Sequence, residues 1–247
     1  MINPFSLQGR KALVTGANTG LGQAIAIGLA AAGAEVVCAA RRAPDETLEV
    51  IAKEGGKARA LLIDFADPLA AKDVFEGAGF DILINNAGII RRADSVEYSE
   101  ADWDDVMDVN LKALFFTTQA FAKELLASEK TGKVVNIASL LSFQGGIRVP
   151  AYTAAKHGVA GLTKLLANEW AGKGINVNAI APGYIETNNT EALRADAARS
   201  KAILERIPAN RWGRSEDIAG AAVFLSSPAA NYIHGAILNV DGGWLAR

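Results

Sequence analysis

A glycine-rich turn near the N-terminus constrains the fold of this chain more than any other feature. Residues 10–14 (RKALV) are typical of a short buried strand, the turn follows as TGANTGLG, and residues 23–32 have an alanine-rich helical pattern. Between a strand and a helix, such glycines let the backbone approach a dinucleotide closely, and the helix N-terminus can receive its pyrophosphate. The spacing is Gly16-x-x-x-Gly20-x-Gly22 rather than G-x-G-x-x-G. The turn alone therefore leaves a purely structural role open.

The remainder of the chain alternates strand-like apolar runs with longer helical patterns. Strands that alternate with helices form a parallel sheet, which helices cover on both faces. We therefore predict an α/β fold with a doubly wound parallel sheet of the Rossmann type. The further strands are predicted at residues 35–39, 58–63, 81–84, 133–138, 176–180 and 236–240.

No linker, repeat or low-complexity segment divides the chain, so we predict a single domain over residues 1–247. A chain of this length, half of whose residues are hydrophobic, can bury one large core. The polar stretch 186–206 interrupts the alternation and is predicted to form a small helical lobe. Its alternative is a solvated helical insertion without a role in binding.

Two local patterns predict where helices begin. Asp67-Pro68 is typical of an N-cap followed by proline at the first helical position. Ser99 with Asp102 three residues later predicts a capping box. It would open a long helix that runs through Asn110 toward Leu126.

The charge balance excludes some classes of partner. Twenty-five basic and 27 acidic residues give a net charge of −2, which does not attract nucleic acid or an anionic membrane. The start, MINPFSLQGRKALV, lacks a basic segment followed by an apolar one, and no apolar run is long enough to span a bilayer. A cytoplasmic location is therefore expected. The single cysteine, Cys38, excludes an internal disulfide, and its apolar setting predicts a packed core thiol.

A tyrosine, a lysine and a serine supply groups that can transfer or position a proton. Tyr152 and Lys156 are four residues apart, so they share one helix face, and Ser139 lies thirteen residues before Tyr152. An ammonium beside a phenol favours the phenolate, so we expect Lys156 to lower the pKa of Tyr152. A tyrosine tuned in this way can act as a general acid or base near neutral pH. In an arbitrary helix, however, the pair would be only surface neighbours.

Several motifs together resemble the short-chain dehydrogenase/reductase family of NAD(P)-dependent oxidoreductases over essentially the whole chain. They are the glycine-rich turn, Asn85-Asn86-Ala87-Gly88, Asn110, Ser139, Tyr152 with Lys156, and Pro182-Gly183. The resemblance implies that Tyr152 is the catalytic acid/base and that Ser139 holds the substrate oxygen. It also implies that Lys156 binds the nicotinamide ribose and that Asn110 completes a tetrad through a proton-relay water. Structural alternatives are that Asn110 relaxes a helix, Ser139 caps its strand and Asp64 caps a turn.

The same resemblance implies a site for a nicotinamide dinucleotide. Its residues would be Gly16, Asn18, Thr19, Gly20, Leu21, Gly22, Arg41, Asp64, Phe65, Asn86, Ala87, Gly88, Tyr152, Lys156, Pro182, Gly183, Ile185 and Thr187. The position that would hold an acidic residue for NAD is Ala40, followed by Arg41 and Arg42. Arg41 favours NADP(H), because an arginine there can accommodate the 2′-phosphate, unless it stacks on adenine or projects into solvent.

Within the family, the chain resembles the dehydrogenases of sugar acids in hexuronate breakdown. The resemblance is carried by residues 85–92, 141–152, 181–190 and 241–247. That subgroup is generally NAD-linked, so we expect NAD(H), with NADP(H) possible through Arg41. A sugar acid carries a carboxylate, which needs a fixed cation. The predicted substrate residues are Arg148, preferred for the carboxylate, Arg92 as the next candidate, and Gln144, Tyr184 and Asn189 for the hydroxyls.

Two other functions remain open. The chain could reduce another carbonyl, such as a 3-oxoacyl thioester, a ketose or 5-ketogluconate, since one fold serves many substrates. The polar Gln144, Arg148 and Asn189 argue against the apolar channel that an acyl chain would need. The chain could instead be a dinucleotide-binding sensor without turnover, although Tyr152 and Ser139 are both present.

The resemblance also implies partners. The family commonly forms tetramers, and residues 235–247, which include Trp244, resemble the C-terminal segment used at such interfaces. A homotetramer that acts on a small molecule is therefore expected. No metal site is expected, because His157 and His234 stand apart and lack a Cys/His cluster.

Overall fold

A seven-stranded parallel sheet crosses the centre of the protein in the computed structural model, which describes residues 3–247. Residues 1 and 2, part of the predicted domain, lie outside the described residues. The strands are β1 (Lys11–Thr15), β2 (Glu35–Ala40), β3 (Lys57–Leu62), β4 (Ile82–Asn85), β5 (Gly132–Ile137), β6 (Ile175–Pro182) and β7 (Ile237–Val240). Their spatial order is β3-β2-β1-β4-β5-β6-β7. The order reverses between β1 and β4, and in such sheets ligands bind at this point, beyond the carboxyl ends of the strands.

Helices cover both faces of the sheet. Within residues 3–247 they are α1 (Gly20–Ala31), α2 (Asp45–Lys53), α3 (Glu100–Met107), α4 (Ala113–Ala127), α5 (Pro150–Trp170), α6 (Glu191–Ala195), α7 (Ala197–Arg206) and α8 (Ser215–Ser226). Helices α1 and α8 pack on one face with Val14 and Ile84, whereas Leu13 and Leu83 point to the other face with Phe121 of α4. This alternation along each strand is what a sheet buried on both faces requires.

The predicted fold class is confirmed, and every predicted strand is present with its ends within two residues. The predicted long helix is also present, as α3 and α4 joined by one π turn at Asp108–Lys112. It begins at Ser99, whose Oγ accepts the Asp102 amide at 3.1 Å. Cys38 is buried in the core as predicted, and burial raises the pKa of its thiol to about 11.

The helix predicted at Asp67-Pro68 is wrong. Residues 65–78 form a series of turns, in which the Asp67 carboxylate accepts the Leu69 amide at 2.9 Å. The Asp67 side chain thereby satisfies the Leu69 amide within a local turn, and this turn forms in place of the first turn of a helix. Phe75 from this segment still packs edge-on against Phe121, with ring centroids 5.5 Å apart.

Within residues 3–247, no helix has both the length and the apolar character that crossing a bilayer would require.

Candidate active site

The glycine-rich turn connects β1 to α1 at the carboxyl edge of the sheet. Gly16 and Gly20 have φ of +68° and +58°, which favour glycine. A Cβ on Gly22 would clash with the carbonyl oxygen of Gly16. The side chain of the N-cap residue, Thr19, makes no hydrogen bond to the helix. It therefore leaves the first backbone amides of α1 available to a ligand. The turn thus combines close backbone packing with a helix N-terminus that suits an anion.

A hydrogen-bond network holds this turn against the end of β4. The Thr15 hydroxyl accepts the amides of Asn86 and Ala87, each at 2.9 Å. The Asn86 side chain donates to the carbonyl oxygens of Thr15 at 2.9 Å and Gly16 at 3.2 Å. The two strands that flank the switch point are therefore locked together at the site.

Asn110 lies in the π turn between α3 and α4 and is 1% exposed. Its side-chain amide donates to the carbonyl oxygens of Val106 at 2.8 Å and Ile89 at 2.9 Å, and its oxygen accepts the Ile89 amide at 3.2 Å. A Cβ on Gly88 would lie 2.5 Å from that oxygen. The side chain therefore ties the segment after β4 to the helix, and the π turn is consistent with the structural alternative for Asn110, while its place in the tetrad stays a prediction.

Tyr152 and Lys156 lie on the first turns of α5, which begins at Pro150. Lys156 is 5% exposed, and its ammonium donates to the carbonyl oxygen of Ile137 at 2.6 Å. The ammonium lies 5.5 Å from the centroid of the Tyr152 ring. Ser139 follows β5, and its hydroxyl accepts the Leu141 amide at 3.1 Å, which is the predicted capping alternative. These contacts bring Tyr152, Lys156 and Ser139 together at the carboxyl ends of β5 and β6.

The expected lowering of the Tyr152 pKa is wrong for this structure. Burial raises the pKa of Tyr152, and the Ser139 hydroxyl and the Arg92 charge only partly oppose it. The Lys156 ammonium donates to a strand carbonyl instead, and burial lowers its own pKa to about 8. A raised pKa keeps the phenol protonated near neutral pH, so that it can act as a proton donor.

Two adjoining cavities meet at Tyr152. The turn cavity, of about 240 Å³, extends from the glycine-rich turn to Lys156. The lobe cavity, of about 380 Å³, extends from Ser139 to α7 and the C-terminal segment. Tyr152 lines both cavities, as do Leu21, Ile137, Thr187 and Asn189. A molecule in one cavity can therefore meet a molecule in the other beside the phenol.

Most of the predicted cofactor residues lie around these cavities. Those that line the turn cavity are Gly16, Asn18, Thr19, Gly20, Leu21, Asn86, Ala87, Gly88, Tyr152, Lys156 and Thr187. Pro182, Gly183 and Ile185 line the lobe cavity. Gly22 lines neither and is buried under the turn.

Arg41, Asp64 and Phe65 lie outside both cavities, beyond the ends of β2 and β3. These strands pair in parallel with Ala40 opposite Leu62, so the three residues share the sheet edge that carries the glycine-rich turn. Arg41 is exposed, and Phe65 is buried. The Asp64 carboxylate accepts the Ala66 amide at 3.0 Å, as its turn-capping alternative predicts.

Four of the five predicted substrate residues line the lobe cavity, namely Arg92, Gln144, Tyr184 and Asn189. Arg148, the preferred candidate for a carboxylate, does not. Its backbone is left-handed, with φ of +63°, and its guanidinium forms an ion pair with Asp94 at 3.0 Å. The ion pair neutralises the charge that was expected to attract the substrate. Arg148 instead joins the segment after β5 to the segment after β4, since its carbonyl oxygen also accepts the Ala93 amide at 3.2 Å.

Among the lining residues of the lobe cavity that sequence reasoning missed are two arginines and a tryptophan: Arg199, Arg206 and Trp244. Arg199 and Arg206 lie seven residues apart on α7, a spacing that places both on one helix face and that could have drawn attention to them. Trp244 is only 4% exposed, and its ring forms a wall of this cavity.

The described residues 3–247 contain no cluster of three or more His, Cys, Asp or Glu side chains that could hold a metal ion. His157 is exposed on α5 and makes a hydrogen bond with the Thr153 carbonyl oxygen at 3.0 Å.

Comparison with known proteins gives consistent matches over the full length. A family model described as enoyl-(acyl carrier protein) reductase matches residues 16–245. The 2-dehydro-3-deoxy-D-gluconate 5-dehydrogenase of Dickeya dadantii is 54% identical over 252 residues, with 100% of each chain covered. A crystal structure from Agrobacterium tumefaciens, of a candidate 2-deoxy-D-gluconate 3-dehydrogenase with bound NADP, is 89% identical over 100% of each chain, with a TM-score of 0.99. A candidate NAD(P)-dependent gluconate 5-dehydrogenase from Beutenbergia cavernae, with NADP at low occupancy, is 52% identical over 99% of this chain and 100% of that chain, with a TM-score of 0.96.

Proposed function

Because the chain belongs to the short-chain dehydrogenase/reductase family, we propose that it is an NADP(H)-dependent 2-dehydro-3-deoxy-D-gluconate 5-dehydrogenase. The observation that carries the proposal is the position of Tyr152 between a glycine-lined cavity and a cavity that contains three arginines. The nicotinamide and pyrophosphate end of a dinucleotide suits the first cavity, and an anionic hydroxy acid suits the second. The proposal agrees with the names of the full-length relatives.

The turn cavity suits the pyrophosphate and nicotinamide end of a dinucleotide. Glycine at positions 16 and 22 lets the turn pack closely, because a Cβ at either position would clash with neighbouring protein atoms, and the N-terminus of α1 faces a site suited to the pyrophosphate. Lys156 would bind the ribose beside the nicotinamide. When bound, the dinucleotide accepts or supplies the hydride.

NADP(H) is proposed over the NAD(H) that the subgroup resemblance favoured. The strand β2 ends at Ala40 without an acidic side chain, and the exposed Arg41 and Arg42 follow it. Neither arginine forms an ion pair with another residue in the described range 3–247. Both are therefore available to a 2′-phosphate. The A. tumefaciens and B. cavernae structures were solved with NADP.

The tetrad residues act on the substrate hydroxyl. In the oxidation direction, the carbon gives up its hydride while the hydroxyl proton passes to the phenolate form of Tyr152, and Ser139 donates a hydrogen bond to the forming carbonyl oxygen. Lys156, with a pKa near 8, supplies positive charge when it is protonated. Asn110 orders the proton-relay water. In the reduction direction, Tyr152 returns the proton.

A reductase of 3-oxoacyl thioesters is the weaker alternative. The description of the matching family model is consistent with it, but Arg92, Arg199 and Arg206 line the lobe cavity, which an apolar chain would have to desolvate. Gluconate oxidation at C5 is the closer alternative, because it would use the same cavity. The single domain, the role of residues 186–206 as a substrate lobe, the homotetramer and the cytoplasmic location stay proposals based on the family resemblance.

Turnover measurements with purified protein test the function. We expect NADPH to be oxidised with 2,5-diketo-3-deoxy-D-gluconate at a higher kcat/KM than with 5-ketogluconate or a 3-oxoacyl thioester. Preferential turnover of either competitor would assign that substrate instead. Cofactor binding without turnover of any of them would support the sensor function.

The cofactor assignment is tested separately by Arg41→Ala. We expect this change to weaken NADPH binding roughly tenfold or more, since a charge-assisted hydrogen bond is lost, and to leave NADH binding unchanged. Arg59→Ala, an exposed arginine within β3, is the control. Equal losses for both cofactors would remove Arg41 from the phosphate site.

A further inference from the structure

We propose that Arg206, held on the ring of Trp244 and joined by Arg199, binds the substrate carboxylate at the outer end of the lobe cavity, so that the oxidised carbon is C5 and not C3. The inference rests on the proposed function and names the residues and the position of attack within it. The two similar proteins differ on this point, since one is named a 5-dehydrogenase and the other a candidate 3-dehydrogenase.

The guanidinium of Arg206 is held in one orientation. It lies over the Trp244 ring, 4.0 Å from the centroid. The Trp244 indole is fixed in turn by donating to the Gln144 side-chain oxygen at 3.2 Å. Arg247 also donates to the Arg206 carbonyl oxygen at 2.7 Å. A planar guanidinium fixed in this way loses little freedom when it binds a carboxylate with two parallel hydrogen bonds.

The guanidinium groups of Arg199 and Arg206 are available to an anionic ligand. Within residues 3–247 neither forms an ion pair, whereas the predicted candidate Arg148 is paired with Asp94. Both line the lobe cavity from the same face of α7. An anion that enters the cavity therefore meets two unpaired guanidinium groups.

The lobe cavity has two chemically different ends. The inner end of the lobe cavity is the end at Tyr152, where Arg92 is close enough to the phenol to lower its pKa. The outer end is the end at Tyr184. Burial raises the pKa of Tyr184, and the nearby charges of Arg206 and Arg199 partly oppose that rise. The Tyr184 ring packs against Trp244, with centroids 4.6 Å apart. Arg206, Arg199 and Trp244 line the lobe cavity alone, whereas Tyr152 also lines the turn cavity. The fixed cation is therefore grouped with Tyr184 and Trp244 on the side of the cavity that does not open to the glycine-rich turn.

The position of the carboxylate determines which carbon reaches Tyr152. In a six-carbon acid, C5 is four carbon–carbon bonds from the carboxylate carbon, whereas C3 is only two bonds away. With the carboxylate at Arg206, we expect the longer spacing to bring C5 to the phenol oxygen. Oxidation there transfers the C5 hydride to NADP⁺, passes the hydroxyl proton to the phenolate form of Tyr152 and leaves a carbonyl at C5. Arg92 at the inner end would instead suit a carboxylate beside the reacting carbon.

Removing each charge tests the carboxylate site. The substrates are 2-dehydro-3-deoxy-D-gluconate and its neutral carboxamide, with NADP⁺. We expect Arg206→Met to raise KM for the acid roughly ten- to hundredfold, and Arg199→Met to raise it less, with the carboxamide KM and the NADP⁺ affinity unchanged. Arg206→Lys should recover part of the loss. Lys201→Met is the matched control, since Lys201 lies on α7 but does not line the cavity and pairs with Glu205.

The outcomes separate this inference from the proposed function. If the wild type oxidises the acid but both arginine variants behave like Lys201→Met, the carboxylate site is wrong and the function stands. An equal rise in KM for acid and carboxamide would mean a structural role only and would also overturn the site. If the wild type oxidises neither 2-dehydro-3-deoxy-D-gluconate nor 2-deoxy-D-gluconate, both the carboxylate site and the proposed function fail. The wild-type product from 2-deoxy-D-gluconate, examined by ¹³C NMR, should carry its carbonyl at C5, and a carbonyl at C3 would overturn the assigned position.

Discussion

The two ends of the active site are built differently. Around Lys156 and Asn110, polar groups are buried, and their hydrogen bonds go to backbone carbonyls at strand ends and helix turns. Around Arg206, a charged side chain on an exposed helix is held by a ring from the C-terminal segment. The first arrangement positions groups for proton transfer with little freedom. The second can change with a few surface residues, so it suits the choice of substrate rather than the chemistry.

The largest expected effect is at the junction of the two ends. Replacing Tyr152 with Phe removes the proton donor, which contributes roughly 10²- to 10⁴-fold to the rate. We expect kcat to fall by that factor while NADP⁺ affinity is retained, as measured by steady-state kinetics and fluorescence titration. Tyr232→Phe, at a fully exposed tyrosine, should leave kcat unchanged. A Tyr152→Phe enzyme with near wild-type kcat would rule out the proposed acid/base.

The end of the active site at Lys156 and Asn110, which we call the rigid end, includes the glycine-rich turn. Its packing can be disturbed without replacing a reactive group. In Gly22→Ala, the added methyl meets the Gly16 carbonyl oxygen, and overpacking of this kind costs about 1–3 kcal/mol. We expect lower stability in urea and roughly tenfold weaker NADP⁺ binding. Gly220→Ala is the matched control, because it also lies in a helix, where an added methyl meets open space, and it should stabilise the protein by up to about 1 kcal/mol. Similar behaviour of the two variants would contradict the close packing of the turn.

The buried ammonium at the rigid end predicts a pH dependence. Burial lowers the pKa of Lys156 from its ordinary 10.5 to about 8. Between these values the unfolded chain binds more protons than the folded protein, so this residue makes stability rise with pH. The free energy of unfolding of the wild type should therefore increase relative to Lys156→Met as pH rises from about 8 to about 10.5. Urea titrations of the cofactor-free proteins measure the difference, and parallel pH profiles would count against it.

Much of the fold and of the rigid end could be predicted from the sequence. Buried parallel strands are continuous apolar runs, and residues that follow such strands meet at one sheet edge. Motifs distant in sequence, such as Gly16 and Ser139, were therefore expected to converge. The predicted pKa direction of Tyr152 failed because it required knowing that burial of the phenol outweighs the groups that lower its pKa. Spacing within a helix does not reveal that burial.

The lobe cavity was predicted only in part, because its walls come from segments that no periodicity relates. Gln144 and Trp244, 100 positions apart, meet through one hydrogen bond. Arg148 was preferred for its proximity to Tyr152 in sequence, but the left-handed backbone and Asp94 give it a different partner. The specificity of a loop-built site depends on such pairings, which only the folded chain shows.

The smallest expected effect is at the anchor of the lobe. Asp217 near the start of α8 accepts two hydrogen bonds from Arg211, at 2.7 and 2.9 Å, and the Arg214 amide at 2.7 Å. These bonds lower the pKa of Asp217 to about 2. The neighbouring Gly213 amide donates to the Tyr184 carbonyl oxygen at 2.9 Å, so the anchor supports the outer end of the lobe cavity.

We expect Asp217→Asn to lower the free energy of unfolding by about 1 kcal/mol near neutral pH, the usual size for a helix-capping group. A carboxylate with a lowered pKa contributes its full stability above its ordinary 3.8 and loses it as pH falls through about 2. The difference between wild type and variant in urea should therefore shrink as pH falls below about 4. Glu216→Gln, one residue earlier in the same first turn, is the control. If the two variants lose the same stability at every pH, the ion pair with Arg211 does not anchor the lobe, and the orientation of Tyr184 must depend on its packing against Trp244 and Trp212.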